Sequence, residues 1–299
     1  MNYQKRNILA GIIVYKPEKN LLNLVQLLLE QNVDVFLFIN ERNSFSDLLI
    51  KNKKINYFNS DMNVGISISL NKIIKIFMQN DYKYLFTFDQ DSMIDINFIK
   101  LMIDSFNEVY KFDRNIVCYS PRIIDEKYLT KRNYSNYFFK KKYNEKKNYE
   151  LVNYSITSGS LFTKKSFNYV GNMNEKLFID GVDIDWCQRA LMKGFKVYKS
   201  KNILMKHKIG KKFISIFGIR KSYHDDNLRV YYIIRNSIFL ILNGCNTKIW
   251  KFFETIKTFI RLFAYTILST KKLHTIMIIF FALKDAFLKN MGKMKYINH

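Results

Sequence analysis

Cysteine is scarce and scattered. Cys118, Cys187 and Cys245 are too widely spaced for a disulfide framework or for the paired ligands of a zinc site. This excludes a small stapled secreted domain and points to a reducing, cytoplasmic setting. Long apolar runs are also missing. No segment reaches the roughly 18 uninterrupted apolar residues of a membrane span, and the run from Ile8 to Val14 is too short for a signal-peptide core. Glycine and proline number only 10 and 2, while Lys, Asn, Ile and Tyr abound, so the composition itself is biased. Acidic residues are outnumbered, 25 Asp+Glu against 49 Lys+Arg, for a formal charge of +24. That excess favours anionic partners (nucleic acid, an anionic membrane face or phosphorylated substrates) without choosing among them, and part of it is the bias. With 48% hydrophobic and 25% charged residues over 299 positions, the chain is globular and can bury a large core.

The first hundred residues alternate two periodicities. "NILAGIIVY", "VDVFLFINERNS" and "KINYFNS" are strand-like. "KNLLNLVQLLLEQN" has helical spacing, and "VGISISLNKIIKIFMQN" places Ile66, Leu70, Ile73, Ile74 and Phe77 on one helical face. A further strand, "YLFTF", runs into Asp89 and Asp91. Alternating elements of this kind predict an α/β fold with a mostly parallel sheet, helices on both faces and ligands at the carboxyl ends of the strands. Residues 125–150, dense in Lys and Tyr, read as an exposed insertion. Order returns with a small-residue turn, Thr157-Ser158-Gly159-Ser160, and a helix over "VDIDWCQRALMK" closed by Gly194. From about Asp225, three helical segments carry apolar and aromatic residues on one side and Lys and Arg on the other. They suit an anionic membrane surface, a cap on the core or a partner subunit.

Asp89 and Asp91, one residue apart at a strand tip, are the right ligand type for a hard divalent cation, Mg²⁺ or Mn²⁺, shared with substrate phosphates. A second acidic group, Asp180, Asp183 and Asp185, opens the helix that carries Trp186, read as an exposed aromatic able to stack on an acceptor sugar. Capping accounts for one of these acids, which leaves at least one for proton transfer. Tyr15, Asp61, Asn63 and Gly65, polar or glycine positions at strand tips, are the nucleotide-binding candidates. Arg229 and Arg235 are candidates for clamping phosphates. His207 ends a strand pattern, and His224, His274 and His299 are the other histidines.

"TFDQDS", "SGSLFTKKSFNYVG", "FIDGVDIDWCQRA" and "RVYYIIRN", in this order, resemble the bacterial rhamnosyltransferases among the family-2 inverting glycosyltransferases, over roughly residues 8–240. "GIIVYKP" and "SDMNVGISISLN" fit the nucleotide-binding strand and loop of that family. The resemblance implies a GT-A fold over 1–224, with a nucleotide-sugar half to about 95 and an acceptor half from about 96, followed by helical residues 225–299. It implies Asp89 and Asp91 as the metal-binding pair, His207 as a third ligand or diphosphate contact, and Asp183 as catalytic base. Two departures stand out. Asp180-Gly181 replaces the Glu-Asp of many relatives, which keeps Asp180 and Asp185 as rivals for the base. In the loop after the second strand, Asn40-Glu41-Arg42-Asn43-Ser44 replaces Asp-Asn-Gly-Ser, with Asn40 the donor-binding candidate there. The implied reaction moves L-rhamnose from dTDP-rhamnose to a glycan or polyprenyl-diphosphate-linked acceptor at the inner face of the cell membrane, with UDP-galactofuranose or a UDP-hexose as the alternative donor and a homo-oligomer as a possible assembly. A sugar nucleotidyltransferase is disfavoured because "VYKPEKN" lacks glycines. A nucleic-acid binder is disfavoured because charge gives no reason for the two acidic groups.

Overall fold

The computed structural model describes residues 7–17, 19–41, 55–125, 147–207, 212–216, 219–223 and 227–295, with Asp125, His207 and the two short segments after it described as backbone alone. The first strand, β1 (Ile8–Val14), sends Ala10, Ile12 and Val14 into one buried cluster and Leu9 and Ile13 into another. Alternate side chains face opposite sides of a sheet, and a strand covered on both sides needs apolar residues at every position. That is why the run is continuous. Then come α1 (Asn20–Glu30), β2 (Asp34–Ile39), β3 (Ile55–Asn59), α2 (Gly65–Gln79) and β4 (Tyr84–Asp89). These four strands pair in parallel in the order β3-β2-β1-β4.

Beyond them lie α3 (Phe98–Phe112), β5 (Ile116–Asp125), β6 (Tyr149–Val152), β7 (Ser160–Phe162), α4 (Lys164–Val170), a 3₁₀ turn (Glu175–Leu177), α5 (Val182–Met192) and β8 (Lys196–His207). All eight strands form one sheet, β3-β2-β1-β4-β7-β5-β8-β6, in which only β6 and β7 run against the rest. The predicted α/β sheet is therefore present and mostly parallel. Residues 126–146, most of the predicted insertion, lie outside the described residues. Tyr149 and Glu150, assigned to that insertion, instead open β6, whose pairing with β8 was invisible in a segment without clean alternation.

A two-stranded ribbon, β9 (Lys212–Ile216) and β10 (Ile219–Tyr223), precedes α6 (Asn227–Asn243), α7 (Lys248–Leu268) and α8 (Lys272–Leu288). One face of the sheet is covered by α1 and α3, through residues such as Leu24, Leu28, Phe98 and Met102. The other is covered by α2, α4, α5 and the end of α6, through Ile73, Phe77, Phe167, Trp186 and Leu240. Earlier residues of α6, Val230 to Ile234, form a third cluster with Tyr265 of α7 and Ile278, Ile279 and Ala282 of α8. Among the described residues no helix is long and apolar enough to cross a membrane.

Candidate active site

The strand tips predicted to face a ligand do converge. At the end of β4, Gln90 takes a hydrogen bond from the Tyr15 N–H on Oε1 (2.7 Å) and donates from Nε2 to the Tyr15 carbonyl (2.8 Å). It thereby pairs with the chain beyond β1 as a strand residue would, and holds Tyr15 beside the Asp89–Asp91 turn. The other support is the Thr157–Ser160 turn. Thr87 Oγ1 donates to the Thr157 carbonyl (2.6 Å), the Gly159 N–H donates to the Thr87 carbonyl (2.7 Å), and the Asp89 N–H donates to Ser158 Oγ (3.0 Å). Ser92 Oγ lies 2.7 Å from Ser158 Oγ. Two residues past Asp91, Met93 exchanges both backbone hydrogen bonds with Lys206 (2.9 and 3.0 Å), so the backbone of His207 is fastened next to this turn. The His207 side chain and all of His224 lie outside the described residues.

Asn40 is 3% exposed. Its Oδ1 accepts from the Val64 N–H (2.9 Å) and its Nδ2 donates to the Gly65 carbonyl (3.4 Å). Its amide thus shapes the Asp61–Gly65 loop from below. Asn63 Oδ1 accepts from the Gly65 N–H (2.9 Å), and Asp61 is exposed on the same loop. Gly65 has φ +83°, and a Cβ there would sit 2.5 Å from the Phe178 carbonyl oxygen. That carbonyl accepts from Ile66 N–H (2.7 Å), one of the orphan donors at the start of α2. The close approach brings the acidic segment 178–185 against the Asp61–Gly65 loop.

That segment is strained. Phe178, Asp180 and Gly181 all have positive φ (57°, 61° and 81°), and each such non-glycine residue costs on the order of 1–3 kcal/mol. What offsets it comes from α6. Nδ2 of buried Asn236 reaches the carbonyls of Leu177, Ile179 and Asp180 at 2.8, 2.7 and 2.8 Å. Arg235, fully buried, bonds Asn236 Oδ1 (3.0 Å) and the Gly292 carbonyl (2.7 Å). Arg235 therefore does not reach a phosphate. The sequence placed it on the ligand side, but its guanidinium is consumed inside the core. Arg229, by contrast, is half-exposed and reaches the acidic segment, with Nη2 3.2 Å from Asp180 Oδ1. Its Nε and Asp180 Oδ2 are buried atoms with no hydrogen-bond partner among the described residues.

The three acids at the start of α5 now separate. Asp185 is buried and ion-paired to Arg189 at 2.8 Å. Asp180 is paired to Arg229. Asp183 alone has no cation partner among the described residues. Burial pushes its carboxyl up to about 6; the Ile184 N–H on Oδ1 (2.8 Å) opposes this, while the charges of Asp180 and Asp89 add to it. The effect of the Asp89 charge shows that the two carboxylates lie within electrostatic reach of each other. Trp186, expected to be exposed, is 1% exposed, packs edge-on against Phe162 and donates Nε1–H to the Gly171 carbonyl (2.8 Å). No sugar can stack on it; a Trp one helical turn from a cap faces the core here. Sequence reasoning missed Gln90, Ser158, Phe178 and Asn236. Asn236 stood in the "RVYYIIRN" motif, and nothing local gave its role.

For a divalent cation the donor set fits in kind. Asp89 and Asp91 are half-buried carboxylates on a rigid tip. Among the described residues no group of three or more His, Cys, Asp or Glu is arranged to hold a metal ion, so the pair needs donors from elsewhere to complete a hard cation's shell.

The model of glycosyl transferase family 2 matches residues 10–171. The dTDP-rhamnosyl transferase RfbF of Shigella flexneri is 34% identical over 248 residues, covering 79% of this chain and 80% of RfbF. Among solved structures, S. aureus TarS 1-349 in complex with UDP-GlcNAc matches with a TM-score of 0.60 at 14% identity, over 94% of this chain and 80% of that one. GalNAc-T7 with UDP, GalNAc and Mn²⁺ matches at 0.51 and 13% identity, over 78% of this chain and 48% of that one. The chain spans 44% of a longer TarS structure (TM-score 0.55, 13% identity, 89% of this chain). These likenesses bear on the fold, which is GT-A as expected. With the family model running from β1 to the end of α4, the chain belongs to glycosyl transferase family 2.

Proposed function

We propose that this glycosyltransferase moves L-rhamnose from dTDP-rhamnose, with inversion at the anomeric carbon, to a glycan or polyprenyl-diphosphate-linked glycan during surface polysaccharide synthesis. What supports the chemistry is the Asp89–Asp91 turn at the carboxyl end of β4 together with Asp183, which has no cation partner among the described residues and feels the charge of Asp89. The choice of donor draws its support from the likeness to RfbF. Asp89 and Asp91, with His207 as third ligand, would hold the cation. When bound, Mg²⁺ or Mn²⁺ supplies positive charge against the diphosphate that leaves.

Tyr15, Asp61, Asn63 and Gly65 line the nucleotide, with Asn40 behind them. Arg229, tethered by Asp180, offers its remaining N–H groups to the phosphates. Asp183 accepts the proton of the acceptor hydroxyl as that oxygen attacks, a role for which a carboxyl titrating near neutrality is suited. The catalytic unit is read as 1–224 and the helical region as 225–299, the first of its helices gripping the base-bearing segment. The enzyme is placed in the cytoplasm, on the inner face of the cell membrane.

The test is a calorimetric and thermal-shift panel of dTDP-rhamnose, UDP-galactofuranose and UDP-hexoses, with and without Mn²⁺, on wild type and Asp91→Ala. Metal-dependent binding of dTDP-rhamnose, lost in the variant, is the expected result. A preference for a UDP-sugar keeps the reaction and overturns the donor.

A further inference from the structure

α7 is built inside out. Its inward face carries charge between two buried aromatics, Trp250 and Tyr265: buried Glu254 accepts from Ser237 Oγ of α6 (3.1 Å) and is ion-paired to Arg261 and to Lys257 (3.4 Å), and Thr258 is buried beside it. Its outward face is apolar. Phe252, Ile256, Phe259, Phe263 and Ile267, three or four residues apart and so in one stripe, are 43–71% exposed. On α8, Leu273, Phe280 and Phe287, two turns apart, are 60–85% exposed. A helix that turns charge inward and phenylalanine outward in water loses on both faces, unless the outer one is covered.

The charges identify the cover. Between residues 227 and 295 the acids are Glu254 and Asp285, 3% and 1% exposed. The exposed charges around the stripes are therefore all positive: Lys248 at the start of α7, Lys271 and Lys272 in the turn to α8, then Lys284 and Lys289. A second copy would set these lysines against its own, on a chain already carrying +24. An anionic bilayer accepts the aromatic stripe among its acyl chains and the lysines among its headgroups.

We propose that the outward faces of α7 and α8 are the surface by which the protein sits on a bilayer containing anionic lipid. This deepens the membrane-side reading above and rests on it. Vesicle binding and sugar transfer are read separately, so each can fail without the other.

The experiment is co-sedimentation of the full chain with vesicles of phosphatidylcholine alone, or of phosphatidylcholine and phosphatidylglycerol in equal parts, alongside sedimentation equilibrium without lipid. The wild type is expected to pellet with the mixed vesicles, less so as salt is raised, and to be monomeric without them. Phe259→Ser and Phe263→Ser, both at exposed positions, should each weaken binding roughly tenfold with an unchanged melting temperature. Should these fail to fold, Lys271→Ser with Lys272→Ser tests the same surface through its charge. Mixed vesicles left unbound by the wild type, or bound equally by the variants, overturn the proposal. So does a dimer that the phenylalanine variants abolish in the absence of vesicle binding, which would give the stripe to a second copy.

Discussion

The burial that raises Asp183 is tied to a prediction of sign. Its carboxylate must be ionised to take a proton, so kcat/KM should fall about tenfold per pH unit below about pH 6 and level off above it. Asp183→Asn should lower kcat by about 10²- to 10⁴-fold while leaving donor affinity within a few-fold, measured by steady-state transfer and calorimetry. If Asp180→Asn or Asp185→Asn showed the larger loss in kcat, the base would have to be reassigned. Asn236 is a positioning residue. Removing its amide leaves the carbonyls of Leu177, Ile179 and Asp180 short of a donor, so Asn236→Ala should cost about 2–3 kcal/mol in denaturant unfolding. Because the freed segment carries the base, kcat should fall more than KM rises and the acid limb should move. Asn236→Asp, which aims a carboxylate at carbonyl oxygens, should do worse than alanine. At this scale the sequence singled out the acids, and the structure separates Asp183 from Asp180 and Asp185 by their ion pairs. Asn236 was not legible, since its partners lie more than fifty residues away in sequence. Trp186 was misread because local spacing says which residues share a helical face and not which face turns inward.

At the level of elements, periodicity disclosed β1, β4 and the two helices between them closely, because strands covered on both faces are continuously apolar; β2 ends at Ile39, short of the predicted run, and β3 is a mostly exposed edge strand. It could not disclose how the start of α2 is tied to the acidic segment. Gly65 makes that joint, and the prediction is specific. Gly65→Ala must relieve a Cβ 2.5 Å from the Phe178 carbonyl at a backbone angle that disfavours alanine. It should weaken nucleotide-sugar binding and lower stability by about 1–3 kcal/mol, read by calorimetry and by urea unfolding. α7 shows the same limit on a larger element: amphipathicity was plain in the sequence, its direction was not. Glu254 is held below the usual carboxylate range: burial raises it, and the charges of Arg261 and Lys257 outweigh that burial. Its share of stability is therefore present above the ordinary glutamate value and is lost as pH falls through the lower folded one. Glu254→Gln should cost about 1–3 kcal/mol at neutral pH, measured by thermal or urea unfolding, and the difference should narrow in acid.

For the molecule as a whole, the fold class followed from alternation, and the proposed chemistry rests on two acidic groups. The joining of the two was a matter of contacts between distant segments. Phe239 and Leu240 of α6 share a core with the sheet, and Asn236 and Arg235 hold the segment that leads to Asp183, the proposed base. A chain ending before α6 should thus be poorly soluble and inactive in transfer, which expression of residues 1–224 and a transfer assay would show. The same clamp has a consequence for synthesis on the ribosome. The parallel strands β1 to β4 and the Asp89–Asp91 turn are neighbours in sequence, with little loop-closure entropy to overcome, and emerge first. The Lys206 bridge to Met93 must wait for more than a hundred further residues, and the Asn236 clamp for some thirty more. On the proposed reading, a nascent chain pairs β1 to β4 well before the segment bearing Asp183 is fastened, and a product interrupted before α6 lacks a held proton acceptor.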